Sequence, residues 1–417
     1  MWVVRSLSVV FGLLMFPCLY WLCRELFESR VVSWIVIVLL AVSPFHVLYA
    51  QEARQYSLWT VAILLSSAAL LRALRVKSTA GWALYAVTVT LALYTHYLAG
   101  VLIIGHGLYV VAMEGRRGRR TLVAFVLAAA AAALTFAVAV RMGGATYTRW
   151  RIPPLIWGQR WLMNVSSVFF DPQVGRHDML FEVFAGDDVR LGFDEVSTYV
   201  ILLVAVLVCY SVYVLYREAP PRVWLLVSAL IWPLVFFMAV PDAVSGGQRS
   251  TIGRYLIPAY VGIQLSVAHC LAVRTRRAAV PWRRRRWQGV TVGLLALGIL
   301  SCAVSSQADT WWSKYGSYYD PEVARAINRG SSSLVLVGAP IPLLTLSHLV
   351  HAGVTLQLAE RTFEPPRRGF SDVFVWVPSR GLVDGIRSEG SYRLRPVYER
   401  LKLWRLESTG PGSEGKG

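Results

Sequence analysis

The sequence contains little charge. Only 16% of its 417 residues are charged and 56% are hydrophobic, whereas typical globular domains are ~25% charged and ~45–50% apolar. An ordinary soluble core cannot bury so large an apolar excess. The apolar residues come in long blocks separated by basic residues, and this pattern favours membrane spans over an unusually large soluble core.

Acidic residues are scarce relative to basic ones. There are 24 Asp and Glu residues against 42 Lys and Arg, and the formal net charge is +18. Such a surplus can indicate a nucleic-acid-binding surface. Here, however, the arginines lie in short loops between apolar blocks, which is the distribution that the positive-inside rule describes. We therefore predict membrane lipid as a partner and no nucleic acid.

Cysteine is also rare, and no CxxC pair or Cys/His metal spacing occurs. The cysteines are therefore predicted to be small buried apolar residues. No cofactor is predicted, and the sequence leaves the question of a divalent metal open. All five cysteines fall inside apolar blocks, at Cys18, Cys23, Cys209, Cys270 and Cys302.

About ten apolar segments approach the ~20 residues that a bilayer core requires. They predict an α-helical polytopic membrane domain over residues 1–306. The fourth and fifth segments are separated by only a few residues. The predicted spans lie at about 5–23, 31–49, 57–74, 80–95, 97–113, 121–140, 196–216, 223–240, 255–273 and 288–306.

Basic residues follow the odd-numbered spans up to the ninth. If all ten segments cross the membrane, these five loops share one side, and the positive-inside rule makes that side cytoplasmic. The outer segment 141–195 contains Trp150, Trp157 and Trp161, which are typical of an interfacial helix. The basic residues are Arg24, Arg30, Arg72, Arg75, Lys77, Arg116, Arg117, Arg119, Arg120, Arg217, Arg222, Arg274, Arg276, Arg277, Arg283, Arg284, Arg285 and Arg286.

The pattern changes after residue 306. Residues 307–407 predict a small extracytoplasmic α/β domain, and the Gly/Ser/Pro-rich residues 408–417 predict a disordered tail. Asp320 is predicted to cap a helix that starts with Pro321 and ends at Gly330. Further elements are predicted as strands at Ser333–Val337 and Asp372–Val377, helices at 341–352 and 380–388, and one or two strands over 392–407.

The first cluster of polar residues at an outer turn runs from Ser43 to Ser57. Ionisable residues at a membrane border are costly and therefore indicate function. Glu52 and Arg54 are two residues apart, so they would not share a helix face. In a broken turn both could line a cavity together with Tyr56. The alternative is an interfacial Glu–Arg pair that only closes the turn.

The second cluster is Tyr94-Thr95-His96-Tyr97, at the next outer turn. His96 and Tyr97 are its candidate substrate-binding residues. A lone histidine at an interface is more often structural, with its ring nitrogens satisfied by neighbours.

The third cluster, Gln248 to Tyr255, precedes the ninth span. The guanidinium forks of Arg249 and Arg254 suit a phosphate group, with Tyr255 beside them. The alternative is an aromatic and basic anchor at the lipid headgroups. All three clusters fall on the same predicted face, which scattered anchors would not produce.

These motifs resemble those of bacterial GT-C glycosyltransferases. Three stretches are similar to motifs of RgtA/B/C/D-like enzymes. They are the run Pro…Tyr-x-Gln-Glu-x-Arg-x-Tyr ending at Tyr56, the residues Tyr94 to Tyr97, and Arg254-Tyr255 before a span. These enzymes are related to protein O-mannosyltransferases and aminoarabinose transferases. The resemblance extends over nearly all of the membrane part, and it implies a multi-pass protein of the bacterial inner membrane whose C-terminal domain is extracytoplasmic.

The resemblance also implies a reaction. Such enzymes move a sugar from a polyprenyl-phosphate carrier to a glycan, lipid or protein acceptor on the outer face, usually with inversion. A carboxylate acts as general base, and cations stabilise the leaving phosphate. The implied substrate-binding residues are Glu52, Arg54, Tyr56, His96, Tyr97, Arg249, Arg254 and Tyr255.

The chain departs from that family at its start. Family members have a catalytic Asp on the first outer loop, and this sequence begins beyond that loop. Charge alone agrees, because the first predicted span runs from outside to inside. We therefore expect one span and one outer loop to be missing: either the start codon is misplaced, or the gene is a remnant, or a partner supplies the loop. The sequence leaves the activity of the chain by itself open. The catalytic residue is unknown, and Glu52 is a candidate.

Two other functions remain open from the sequence. A transporter or flippase of lipid-linked sugars would have ionisable residues deep inside its spans and inverted repeats. His106 and His269 are the main mid-span candidates, and core packing explains each equally well. A noncatalytic membrane scaffold, whose outer domain binds partners, is the second alternative.

Overall fold

The computed structural model describes residues 2–140, 153–172, 174, 195–311, 317–360, 363–365, 369–398 and 402–409. The chain divides into two compact units, residues 1–306 and 307–417. The first is built from helices, several of them long and apolar, and the second contains a five-stranded sheet. The predicted fold class is therefore confirmed: a helical polytopic membrane protein with a small C-terminal α/β domain.

Each predicted span coincides with a helix or a pair of helices. Short 3₁₀ turns lie at Gly115–Gly118 (η1), Arg249–Thr251 (η2) and Gly253–Leu256 (η3). In chain order, α1 to α12 of the described residues are Trp2–Leu26, Arg30–Ala41, Pro44–Gln51, Tyr56–Val76, Thr79–Thr95, Ala99–Glu114, Arg119–Val140, Pro154–Ser166, Val196–Glu218, Pro221–Ser245, Ile257–Arg277 and Pro281–Gln307.

The described residues account for part of the ten-span prediction. By length and composition, six described helices can cross a membrane alone, namely α1, α4, α9, α10, α11 and α12, and the bent pair α2 and α3 makes up to seven. The α5 and α6 helices have 17 and 16 residues. At ~1.5 Å per residue they reach only about 25 Å, which is less than the ~30 Å of a hydrocarbon core.

The predicted span 31–49 is formed by two helices, because the chain bends by 57° between α2 and α3. Pro44 is at the start of α3, and Ser43 before it is extended. Proline lacks the N–H that would continue a helix and disfavours helical backbone in the preceding residue. The segment after α8 holds the new helix start: the Ser43 hydroxyl donates to the Val168 carbonyl (2.7 Å), and the Phe45 N–H donates to the Ser167 carbonyl (3.1 Å).

The five basic loops meet at one end of the first unit, here called the basic end. Ion pairs connect each loop to another. They join Arg75 to Glu25 (2.9 Å), Lys77 to Glu114 (3.3 Å), Arg222 to Glu28 (3.6 Å) and Arg277 to Glu218 (2.7 Å). The α4 and α11 helices end there, so their first residues lie at the opposite end of the bundle.

The α11 helix is the most enclosed spanning helix. In the span formed by η3 and α11, 94% of the most apolar stretch is buried, against 17% of the corresponding stretch of α12 at the periphery. The packing against α10 is close: a Cβ added at Gly262 would lie 2.6 Å from Ile231 Cγ1. Glycine is therefore required for these two helices to approach each other.

His106 lies inside the bundle in a saturated hydrogen-bond network. Its Nε2 is 3.2 Å from the Ser67 hydroxyl and its Nδ1 is 3.2 Å from the Tyr85 hydroxyl. All three residues are fully buried. Both ring nitrogens are thus satisfied, and His106 joins α4, α5 and α6 as a structural residue.

The second unit is a mixed sheet with helices on both faces. The strand order is β2-β1-β3-β5-β4; β1 is parallel to β2 and β3, and β5 is antiparallel to β3 and β4. Buried residues of α13 and α14 pack on one face, and those of α15 on the other. The elements are α13 Asp320–Ile327, β1 Ser333–Val337, α14 Pro340–Leu346, β2 Thr355–Leu358, β3 Asp372–Trp376, α15 Arg380–Glu389, β4 Tyr392–Tyr398 and β5 Leu403–Ser408.

Three details of this unit correct the prediction. The predicted helix 341–352 ends at Leu346, and the strand Thr355–Leu358 was missed because it is a mostly exposed edge strand without a buried pattern. Asp320 is the first helical residue rather than the cap. Its carboxyl is buried, and burial raises its pKa while a hydrogen bond with Thr345 opposes the rise. The predicted disordered tail lies outside the described residues from position 410 on.

Candidate functional site

All three polar clusters lie at the end of the bundle opposite the basic end. The turn between α3 and α4, the turn between α5 and α6, and the 3₁₀ turns η2 and η3 meet there. We call the side chains that join them the aromatic–arginine cluster. Its members are Tyr49, Tyr56, Trp59, His96, Tyr97, Arg254 and Tyr255.

A row of aromatic rings forms the floor of the cluster. Phe45 contacts Tyr49 (4.8 Å between ring centroids) and Tyr260 (4.8 Å), and Tyr49 contacts Tyr56 (5.1 Å). The rings meet edge to face, which is a favourable arrangement for aromatic quadrupoles. This row connects α3, α4 and α11, so the break before Pro44 is what brings Phe45 and Tyr49 into the site.

His96 lies buried between the aromatic residues of the two turns. Its ring stacks on Trp59 at 4.1 Å and 13°, and on Tyr97 at 4.9 Å. The Leu98 backbone N–H donates to His96 Nδ1 (3.2 Å), so the proton of the neutral ring is on Nε2. Burial, and then the charge of Arg254, lower the pKa of His96 to about 4. The imidazole is therefore a neutral donor at physiological pH.

Arg254 is the cation of the cluster. Its Cζ lies 5.9 Å from the centroid of Tyr56 and 5.5 Å from that of Tyr255, within cation–π range. Its Nε is buried and has no hydrogen-bond partner among the residues described. Within the same part of the chain, no carboxylate pairs with this guanidinium. The side chain thus has an unused donor and an unneutralised charge.

Glu52 follows the last residue of α3 in extended conformation. Its Oε2 is buried and has no hydrogen-bond partner in the described ranges. Arg54 is exposed, and its backbone N–H donates to the Glu52 carbonyl (2.8 Å). The turn is therefore closed by the backbone, and the predicted alternative of a Glu–Arg pair that closes it does not form. Both charges are within electrostatic range of Tyr49 and Tyr56.

The loop that presents Arg254 is fixed from α10. The Asp242 carboxylate accepts from the Ser250 N–H (2.6 Å) and from the Ser250 hydroxyl (2.7 Å). Gly247 lies directly against that carboxylate, so that any added Cβ would overlap Asp242 Oδ1. Arg249, the remaining predicted residue, is exposed on η2 next to Ser250.

The α8 helix holds the same loop from the other side. Arg160 donates to the Gln248 side-chain carbonyl (2.7 Å), and Asn164 donates to the Thr251 backbone carbonyl (2.5 Å). Trp157 and Trp161 both donate to the Ser250 hydroxyl, at 3.0 and 3.4 Å. The predicted interfacial helix is thus also a support for the site. Trp150 lies outside the described residues.

The structure brings together most of the residues predicted from sequence. Tyr56, His96, Tyr97, Arg254 and Tyr255 are in direct ring or cation–π contact, Glu52 and Arg54 lie at the edge, and Arg249 is exposed one turn earlier.

Sequence reasoning missed three kinds of supporting residue. Trp59 could have been found, because it lies three residues after Tyr56 on the same helix face. Tyr49 was part of the first cluster but was not assigned a role. No local signal connects Asp242 with Ser250 or Asn164 with Thr251, because these contacts depend on packing.

The cluster combines groups suited to an anion with a carboxylate suited to proton transfer. A guanidinium and a neutral imidazole N–H can bind phosphate oxygens, and Glu52 Oε2 is available to accept a proton. In the part of the chain that the structure describes, no group of three or more His, Cys, Asp or Glu residues could hold a metal ion.

A family model matches the first part of the chain. Residues 1–141 match the family of dolichyl-phosphate-mannose-protein mannosyltransferases. The matched region contains Glu52, Arg54, Tyr56, His96 and Tyr97, whereas η2 and η3 lie beyond it. The match points to a multi-pass membrane glycosyltransferase of the GT-C type, a class that uses lipid-linked sugar donors. No curated protein matches the chain.

Proposed function

We propose that the protein is a bacterial inner-membrane glycosyltransferase that moves a sugar from a polyprenyl-phosphate carrier to an acceptor, with inversion. The acceptor is a glycan, a lipid or a protein. The family match supports the reaction class, and the motifs around Glu52 and Arg254 support the RgtA/B/C/D-like group. The positive-inside rule puts the basic end in the cytoplasm and the aromatic–arginine cluster at the outer face.

The observation that best supports this function is the state of Arg254. A partly buried cation without a counter-charge is costly, and no described carboxylate pairs with this one. A phosphate diester would supply both the missing charge and an acceptor for the free Nε. Tyr56 and Tyr255 hold the guanidinium in place through their ring faces.

The reaction assigns a role to each charged group. The acceptor hydroxyl oxygen forms a bond to the anomeric carbon while the bond from that carbon to the phosphate oxygen breaks. The electron pair leaves with the phosphate, whose charge Arg254 stabilises, assisted by Arg54 and Arg249. The hydroxyl proton passes to a carboxylate. Glu52 is the candidate base at this end of the bundle.

The test is an Arg254→Lys variant of the full chain, assayed with a labelled polyprenyl-phosphate sugar in membranes. Lysine keeps the charge but loses the guanidinium fork. We expect transfer to fall at least ~10-fold, the effect of losing about 1.4 kcal/mol of charge-assisted hydrogen bonding. The matched control is Arg283→Lys, which changes an exposed arginine on α12.

Equal transfer by wild type and Arg254→Lys would contradict the proposed phosphate site. Loss of transfer in both Arg254→Lys and Arg283→Lys would also contradict it, because a residue remote from the site should not respond.

A further inference from the structure

A cavity lies at the basic end of the first unit, away from the aromatic–arginine cluster. Its volume is about 450 Å³, within the ~300–1,000 Å³ typical of small-molecule sites. It is lined by the loop between α1 and α2, the loop between α9 and α10, and the last turns of α11.

Guanidinium groups outnumber carboxylates in and beside this cavity. Glu218 pairs with two cations, Arg274 (2.6 Å) and Arg277 (2.7 Å). Arg222 is 3.6 Å from Glu28, whose side chain is 91% exposed and therefore well screened by solvent. Among the described residues, Arg276 donates to the neutral Ser29 hydroxyl (3.3 Å) and pairs with no carboxylate. These four arginines and two carboxylates together leave a net positive charge, which suits an anion.

His269 provides the second, independent indication. Its side chain lines the cavity and is only 8% exposed, yet neither ring nitrogen has a hydrogen-bond partner among the described residues. The ring stacks on Phe27 at 5.9 Å, so it is held in one orientation. His106, by contrast, has both nitrogens satisfied. Buried polar groups are normally hydrogen-bonded, so His269 is expected to bind a ligand in this cavity.

We propose that this cavity binds the phosphate headgroup of an anionic phospholipid. Arg222 and Arg276 contact the phosphate oxygens, and His269 donates its ring N–H to the same group. The position favours a lipid over free phosphate, because the cavity lies at the ends of apolar spans, where headgroups lie in a bilayer. Basic pockets between spans at a cytoplasmic face are a known mode of recognition for anionic lipids. The site is separate from the proposed transfer reaction.

Native mass spectrometry of the full-length chain in detergent tests the proposal. Phosphatidylglycerol is added, and the bound fraction is compared between wild type, Arg222→Ala/Arg276→Ala and His269→Phe. We expect the double variant to retain at least ~10-fold less lipid, because two charge-assisted contacts are lost. His269→Phe keeps the ring stacked on Phe27 but removes both nitrogens, and it should weaken retention by about threefold.

The matched control is Arg283→Ala/Arg284→Ala. It removes the same charge from exposed arginines at the same end that do not line the cavity. We expect this control to retain phosphatidylglycerol like the wild type. Equal loss in both double variants would overturn the proposal in favour of general charge attraction, as would unchanged retention in every variant.

The source of the phosphate is tested in the same preparation. Phosphatidylcholine and inorganic phosphate are offered separately. Preference for phosphatidylglycerol over phosphatidylcholine, dependent on Arg222 and Arg276, supports an anionic headgroup. Stabilisation by inorganic phosphate without any retention of phosphatidylglycerol would overturn the assignment to a lipid.

Discussion

Glu52 and Arg254 lie at the same end of the bundle but do not neutralise each other. Each has a buried polar atom without a hydrogen-bond partner in the described part of the chain. Groups of opposite charge that are desolvated and unpaired are unfavourable in a folded protein unless a ligand completes them. This arrangement is expected where one group binds an anion and the other receives a proton.

Glu52→Gln tests the proton-transfer role. The amide keeps the shape of the side chain but cannot act as a base, so the transfer rate should fall by ~10²–10⁴-fold if Glu52 is the base. Binding of the carrier lipid should change little, because Arg254 is retained. Single-turnover transfer and carrier binding are measured separately. The control, Glu28→Gln, alters an exposed carboxylate at the basic end and should transfer normally. A normal rate in Glu52→Gln would assign the base elsewhere.

His96 makes stability depend on pH. Burial, followed by the charge of Arg254, lowers its pKa in the folded protein to about 4 from an ordinary value of 6.5. Between these two values the unfolded chain binds more protons than the folded one. Stability is therefore full above pH ~6.5 and falls as the pH drops towards 4, by at most ~1.4 kcal/mol per pH unit.

The measurement is the melting temperature of the detergent-purified protein at pH 7.5 and pH 5. His96→Gln removes the titrating group, so the drop between the two pH values should be smaller in the variant than in wild type. The same drop in both proteins would show that His96 does not cause the dependence.

Among the structural elements, α8 and the loop before α11 determine where Arg254 lies. The loop is held between Asp242 on α10 and the α8 side chains Arg160 and Asn164. A displacement of this loop would move Arg254 relative to Tyr56 on α4. Positioning errors of about 1 Å can lower rates ~10²-fold, so these residues should affect activity without contacting substrate.

Gly247→Ala tests this positioning. Its Cβ would overlap the Asp242 carboxylate, so the loop must shift. We expect transfer to fall about tenfold or more while the protein still folds, as judged by its melting temperature. The control is Gly158→Ala on α8, where no atom lies within 4 Å of an added Cβ. This change should leave transfer unaltered and stabilise the helix slightly, by up to ~1 kcal/mol. Normal transfer by Gly247→Ala would refute the positioning role.

At the scale of the whole molecule, the two ends of the first unit differ in charge and chemistry. The basic end carries the loop ion pairs and the cavity, whereas the opposite end carries the aromatic–arginine cluster. This polarity agrees with a chain oriented by the arginines of its five basic loops, which lie at the end opposite the proposed substrate site.

Reporter fusions test the orientation. A reporter fused after Arg286 should be cytoplasmic, and one fused after Gly410 should be extracytoplasmic, because the apolar part of α12, after its basic first turns, lies between them. Alkaline phosphatase activity and green fluorescence report the two sides. Two reporters on the same side would contradict the span at α12 and the proposed location of the C-terminal domain.

Local physics made much of this architecture predictable. The length of an apolar block decides whether a helix can span a bilayer, and the placement of arginines decides which loops share a side. Both are properties of short stretches of sequence. The helices and the common location of the basic loops follow from them, as does the placement of Glu52, His96 and Arg254 at one end. The strands β1 and β3 follow from another local property, a short run of apolar residues.

Tertiary structure alone decided the rest, because it depends on contacts between distant residues. Pro44 marks a possible break, but the 57° bend is stabilised by backbone carbonyls more than 120 residues away. Arg254 meets Tyr56, and Asn164 meets Thr251, only after α4, α8 and α11 have packed together. The unpartnered state of His269 is likewise visible only in the folded chain. A sequence specifies which side chains are costly to bury, and packing determines which of them are left for a ligand to satisfy.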